Sequence, residues 1–129
     1  MKLLLDTHVF LWLHTEPERL GEHLPLVADR RTELLLSSVS SWEIAIKHEL
    51  GRLPLPEPPA RYVPDRMRTI GAVALAIEHD HALAVASLPP VHRDPFDRLL
   101  VAQAQIEGVP ILTADPVFDR YDVDVVAVA

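Results

Sequence analysis

The segment HRDPFDRLLVAQA, residues 92–104, carries two aspartates three residues apart, Asp94 and Asp97, at the mouth of an apolar stretch. Three more acids occupy comparable places: Asp6 ends the run KLLL, Glu43 lies in SSWEIAIK, and Asp115 closes VPILTA. Carboxylates gathered in one place repel, and each resists ionising beside the others. A divalent cation removes that penalty, and Mg²⁺ and Mn²⁺ favour carboxylate and water oxygens. The chemistry open to such a set is cation binding and, through it, an acidified water. The chain has no cysteine, so thiolate metal sites and disulfides are excluded.

Each acid also has a local explanation. Asp94-Pro95-Phe96-Asp97 reads as an N-cap, a first-turn proline and a first-turn acid. Ser40-Ser41-Trp42-Glu43 reads as a capping box in which Glu43 returns to the N-cap amide. The helix dipole favours acids at both places. Asp6 can cap a following helix, and Asp115 can open a turn before Pro116. Helical spacing separates these readings. Asp97 shares a face with Val101 and Ala104, and Glu43 shares one with Ile46 and Leu50. An acid on an apolar face needs a partner. Asp94 is therefore the capping candidate, and Asp97 the ligand candidate.

The elements that must position these acids follow from periodicity and breakers. Short apolar runs at 2–5, 33–38, 72–77, 109–115 and 123–128 read as strands. Segments 7–16, 40–53, 78–88 and 94–108 read as helices, with a broken helix over 17–31. The span 54–64 holds five prolines and reads as a surface loop leading into a further short helix. Strands alternating with helices imply a parallel sheet of four to five strands covered on both faces. Ligands of such folds bind outside the carboxyl ends of the strands. Asp6, Glu43, Asp97 and Asp115 all fall at that edge.

The 129 residues are expected to form one domain, 1–129, with a real core; 49% are hydrophobic and 24% charged. No apolar run is long enough to cross a bilayer. The start, MKLLLDTH, meets an acid too soon for a signal peptide, and residence in the cytoplasm is expected. A net charge of −7 argues against broad affinity for nucleic acid, while leaving room for a local site rimmed by arginines.

Taken together, LLLDTHVFLWL, SSVSSWEIAIKHELGRL, HRDPFDRLLVAQA and ILTADPVFDRY resemble the PIN-domain ribonucleases, most closely the VapC toxins of bacterial toxin–antitoxin pairs. The resemblance runs through nearly the whole chain in order, weakest over 54–72. It implies a compact α/β domain whose Mg²⁺ or Mn²⁺ site cleaves RNA. The acids of that site fall on Asp6, Glu43, Asp97 and Asp115, with Asp6 and Asp97 as first direct ligands. Thr113 matches a hydroxyl near the site. The resemblance further implies a homodimer and a small antitoxin that occludes the site. It leaves Asp94 and Asp119 without a role.

Other residues carry two readings each. Lys47 is either an i,i+4 partner of Glu43 or a site cation. Arg98 contacts either RNA or solvent. His8, His79 and His81 read as surface or packing residues, because histidines one residue apart face different sides of a helix. Trp12 and Trp42 stand at apolar positions and read as core rather than as base-stacking platforms. A phosphotransfer receiver would want an acid pair after the first strand and a late lysine, yet no lysine follows Lys47. A DxD phosphatase would need an acid where His8 stands. The four isolated glycines exclude a P-loop. The non-catalytic alternative is a PIN-like scaffold, which would have lost acids; none of the four is lost.

Overall fold

The computed structural model describes residues 1–128. Its strands are β1 (Lys2–Leu5), β2 (Glu33–Ser37), β3 (Val73–Leu75), β4 (Ile111–Thr113) and β5 (Val125–Ala127). The helices are α1 (Thr7–Thr15), α2 (Leu24–Ala28), α3 (Ser38–Glu49), α4 (Pro59–Ile70), α5 (His79–Ala84) and α6 (Pro95–Glu107). All strand pairs are parallel, in the order β3-β2-β1-β4-β5. The expected α/β architecture is therefore present. The chain builds outward from β1 to β3, then returns to the other side of β1 for β4. The switch point lies between β1 and β4, where a crevice opens at the strand ends.

Successive side chains on a strand point to opposite faces, and the two cores record this. Leu3, Leu5, Leu34, Leu36 and Leu112 pack with Val9, Phe10, Ile44, Tyr62 and Val63 on one face. Leu4, Leu35 and Ile111 pack with Leu100, Val101 and Ala104 of α6 on the other. Helix α3 serves both, with Val39 on the α6 side and Ile44 on the α1 side. At its N-terminal half, α3 thus bridges the two layers at the carboxyl edge of the sheet.

Several bounds differ from the sequence expectation. Helix α3 starts at Ser38, and its N-cap is Ser37, whose hydroxyl accepts from Val39 N at 3.0 Å. The expected capping box at Ser40 and Glu43 does not form. Ser40 instead accepts a hydrogen bond from Thr7 Oγ1 at 2.8 Å, a buried contact across 33 residues. Glu43 consequently lies in the second turn. The expected face with Leu50 is also corrected: Leu50 is 60% exposed, while the buried residues of α3 are Val39, Ser40, Glu43 and Ile44. The helix expected over 78–88 is α5 followed by a 3-10 turn, Val85–Ser87. Strand β3 is an edge strand with Val73 and Ala74 exposed, so it is shorter than its apolar run.

Candidate functional site

Asp6 follows β1 directly and caps α1 through its extended backbone, without a side-chain capping bond. Its carboxylate is therefore free to point elsewhere. Thr113, at the end of the neighbouring strand β4, donates its hydroxyl to Asp6 Oδ2 at 2.7 Å. The Thr113 oxygen in turn accepts from Asp115 N at 3.0 Å. Asp6 is only 4% exposed. Burial pushes its carboxyl above the ordinary range; the Thr113 hydrogen bond and the nearby His8 oppose that shift, and the charge of Glu43 adds to it.

Asp97 sits in the first turn of α6. Asp94 is the N-cap, as expected, its Oδ1 accepting from Phe96 N at 2.8 Å and Asp97 N at 3.3 Å. With the cap supplied by Asp94, Asp97 is released toward the sheet edge, where His92 Nε2 lies 2.9 Å from its Oδ2. The Asp97 carboxyl is pushed up to about 7, first by burial, then by the charges of Asp6, Asp94 and Glu43, against the opposing His92 contact. Asp6, Glu43 and Asp97 thus lie within electrostatic reach of one another. They come from three elements on both faces of the sheet.

Glu43 is 3% exposed. Its Oε2 lies 2.5 Å from Lys47 Nζ, while its Oε1 is buried without a hydrogen-bond partner among the described residues. Burial opposes the charge on Lys47, but the bond to Glu43 and the charges of Glu43, Asp94 and Asp97 raise its pKa. Lys47 is thus the ion-pair partner of Glu43 and lies within reach of the charges of Asp94 and Asp97.

Each of the three carboxylates has one oxygen held by a neighbouring side chain: Thr113 for Asp6, Lys47 for Glu43, His92 for Asp97. The second oxygen of each accepts no side-chain hydrogen bond among the described residues. A buried carboxylate oxygen without a donor is costly. A set of carboxylate oxygens not taken up by side chains suits a hard divalent cation, and Mg²⁺ keeps several waters, so the ligands need not all touch it. A tighter group also exists: ligand atoms of His92, Asp94 and Asp97 all lie within 4.8 Å of one another. There, however, Asp94 Oδ1 is already committed to capping and His92 already holds Asp97. That trio reads as support for Asp97 rather than as a separate cation site.

Asp115 stands apart from this trio. It is exposed, and its Oδ1 caps the 3-10 turn Pro116–Arg120 by accepting from Val117 N at 3.0 Å. It lines a cavity of about 200 Å³ together with Asp6, His8 and Trp12. Asp119 is exposed on the same 3-10 turn.

Several side chains take roles that the sequence left open or missed. Arg98 reaches the carbonyls of Pro89 at 2.9 Å and Val85 at 3.0 Å, so it ties down the loop that carries His92. Trp42 is not core: it is 53% exposed, with its ring edge-on to Phe96 at 5.0 Å. Trp12 is half-buried under the Arg19 guanidinium, 3.9 Å from the ring centroid. His81 is buried and locked between Glu78 N at 2.9 Å and Glu107 at 3.1 Å, a packing role. The contribution of His92 had no local signal, because it lies in the loop five positions before its partner, across the cap and start of α6.

The family profile described as PIN domain matches residues 3–124. A stretch of 64 residues is 50% identical to Ribonuclease VapC16 of Mycobacterium tuberculosis (strain ATCC 25618 / H37Rv), covering 50% of this chain and 45% of that protein. That match therefore spans less than half of the relative's length. Ribonuclease VapC22 of the same strain is 31% identical over 116 residues, covering 88% of this chain and 86% of the relative. A chain in the crystal structure of VapBC2 from Rickettsia felis, bound to a DNA fragment from their promoter, superposes with a TM-score of 0.75. It is 14% identical and covers 98% of each chain, a likeness of fold.

Proposed function

The chain belongs to the PIN-domain family, alongside VapC ribonucleases, and from that premise we propose that it is a divalent-metal-dependent endoribonuclease and the toxin of a toxin–antitoxin pair. The observation that carries this reading is the convergence of two buried carboxylates, Asp6 and Glu43, with the partly buried Asp97, and among the described residues one oxygen of Glu43 has no donor. Asp6 and Asp97 are the proposed direct ligands of Mg²⁺ or Mn²⁺. Glu43 and Asp115 are proposed to act through water. A cation held there polarises a phosphodiester and supplies an acidified water.

This chain's own residues prepare that chemistry. Thr113 holds Asp6 in its orientation and favours its charged form. His92 does the same for Asp97, and Arg98 fixes the loop that presents His92. Lys47 offsets one of the buried negative charges, leaving the site less anionic toward an approaching phosphate backbone. RNA is the proposed substrate, in structured form and at few sites. A protein of net charge −7 has little general grip on phosphates and depends on local contacts. A small antitoxin and a second copy of the chain are the proposed partners, in the cytoplasm. Among the described residues, no helix is long and apolar enough to cross a membrane.

The test is incubation of the partner-free protein with total cellular RNA, with and without EDTA, beside Asp6→Asn. Discrete EDTA-sensitive fragments that the variant does not produce are expected. No cleavage by metal-loaded protein would favour the scaffold reading instead.

A further inference from the structure

A cavity of about 300 Å³ opens between α1, α3 and the turn that follows α3, sharing Glu43 and Lys47 with the carboxylate site. Its accessible apolar walls are Leu11 and Leu53, with Ile44 fully buried behind them, and its arginine is Arg52. The turn is built to present these last two residues. Gly51 has φ 73°, a left-handed conformation that lets the chain reverse at the end of α3. Arg52 N then donates to Lys47 O at 2.9 Å, and His48 Nδ1 donates to the Leu53 carbonyl at 2.9 Å. The backbone of the turn is thus pinned against the helix, while the Arg52 side chain forms no ion pair among the described residues. Arg66 pairs with Glu57 and Asp65, Arg31 with Asp29, and Arg98 with loop carbonyls; Arg30, Arg61, Arg93 and Arg120 form no ion pair among the described residues either, but Arg52 is the arginine that lines this cavity.

We propose that this cavity is a nucleotide subsite beside the scissile phosphate, with a base against Leu11 and Leu53 and a phosphate on Arg52. The inference rests on the ribonuclease reading above and adds where the neighbouring nucleotide sits. Three features select this occupant. The volume is at the small end of ligand sites and suits one nucleotide rather than a duplex. Apolar walls with one guanidinium at the rim match a flat base attached to an anion, and the guanidinium fork fits phosphate oxygens two at a time. The one acid among its lining residues, Glu43, is already neutralised by Lys47, so the cavity does not repel a phosphate as the open carboxylates do. Glu43 and Lys47, which line the cavity, tie it to the carboxylate site.

The experiment is methyl NMR of the whole protein in EDTA, titrated separately with the four nucleoside 5′-monophosphates, with adenosine and with inorganic phosphate. At least one nucleotide is expected to shift the Leu11 and Leu53 methyl signals. Adenosine and inorganic phosphate should each bind more weakly. Arg52→Ala should weaken the nucleotide by about tenfold, the scale of one hydrogen bond to a charged group, with Arg52→Lys in between. Arg52 is exposed, so both variants should fold, and their unshifted spectra report it. Two results would overturn the proposal: nucleotides that leave these methyls unmoved, or binding indifferent to Arg52. Either would hand the cavity to a protein partner. No cleavage and no metal enter this measurement, so it stands or falls separately from the RNA assay.

Discussion

The Thr113 hydroxyl donates to Asp6 Oδ2 at 2.7 Å, joining the ends of β1 and β4 across 107 residues of sequence. This bond sits at the switch point of the sheet and favours the ionised form of an acid whose pKa burial raises. Thr113→Val keeps the shape and removes the donor. The acid limb of the pH–rate profile is then expected to move upward, because Asp6 ionises later. The buried Asp6 oxygen and Asp115 N also lose a partner, at a cost of about 1–3 kcal/mol in urea unfolding. A profile that does not move would show that the hydroxyl only fills space.

Asp97 gives a stability prediction with a definite sign. Its folded pKa is raised from 3.8 to about 7, so the folded protein holds a proton that the unfolded chain releases. The stabilisation is fully present below the unfolded value and is lost as pH rises through about 7. In EDTA, the melting temperature should therefore fall between acidic and mildly alkaline buffer. Asp97→Asn should flatten that fall, and Mn²⁺ should restore the parent at the alkaline end. A parent curve as flat as the variant's would contradict the assignment.

The twin aspartates should separate cleanly by mutation. Asp94→Asn is expected to be mild, since asparagine also caps, whereas Asp94→Ala should cost about 1 kcal/mol. Asp97→Asn should spare folding in metal-free buffer and abolish RNA cleavage. Activity loss at Asp94→Asn with Asp97→Asn still active would reverse the two roles.

Lys47 is the counter-ion of a buried carboxylate. Removing one partner of such a pair leaves an uncompensated charge, and Lys47→Met should destabilise the metal-free protein by about 3 kcal/mol, discounted from the fully buried case because Lys47 is partly exposed. Mn²⁺ should rescue this variant more than it stabilises the parent, since the cation replaces the missing charge. Equal Mn²⁺ shifts in melting temperature would place the ion away from Glu43.

What could be read from the chain alone was local. Asp94-Pro95-Phe96-Asp97 announces a helix start, and the structure caps α6 there. Five apolar runs announce a parallel sheet, and all five pair. The failures lie where a distant partner overrides a local pattern. Ser40 looks like an N-cap, but its hydroxyl is taken by Thr7 from another helix. Trp42 looks like core because it stands at an apolar position of the helical pattern, yet it is exposed, edge-on to Phe96. Glu43 was placed on the apolar face of α3 by spacing, and it is buried, although beside Ile44 and Ser40 rather than Leu50. The roles of His92 and Arg98 depend on a loop that folds back onto α6, which no periodicity encodes.

The central claim is that Asp6, Glu43 and Asp97 form a divalent-cation site, and its most direct test is Mn²⁺ binding followed by electron paramagnetic resonance. Titrating Mn²⁺ into the metal-free protein should suppress the sharp free-ion signal in a saturable manner. Asp6→Asn and Asp97→Asn should each restore that signal, while Asp94→Asn should not. Suppression in the parent that both site variants retain would contradict the account, as would a parent that leaves the free-ion signal intact at millimolar protein.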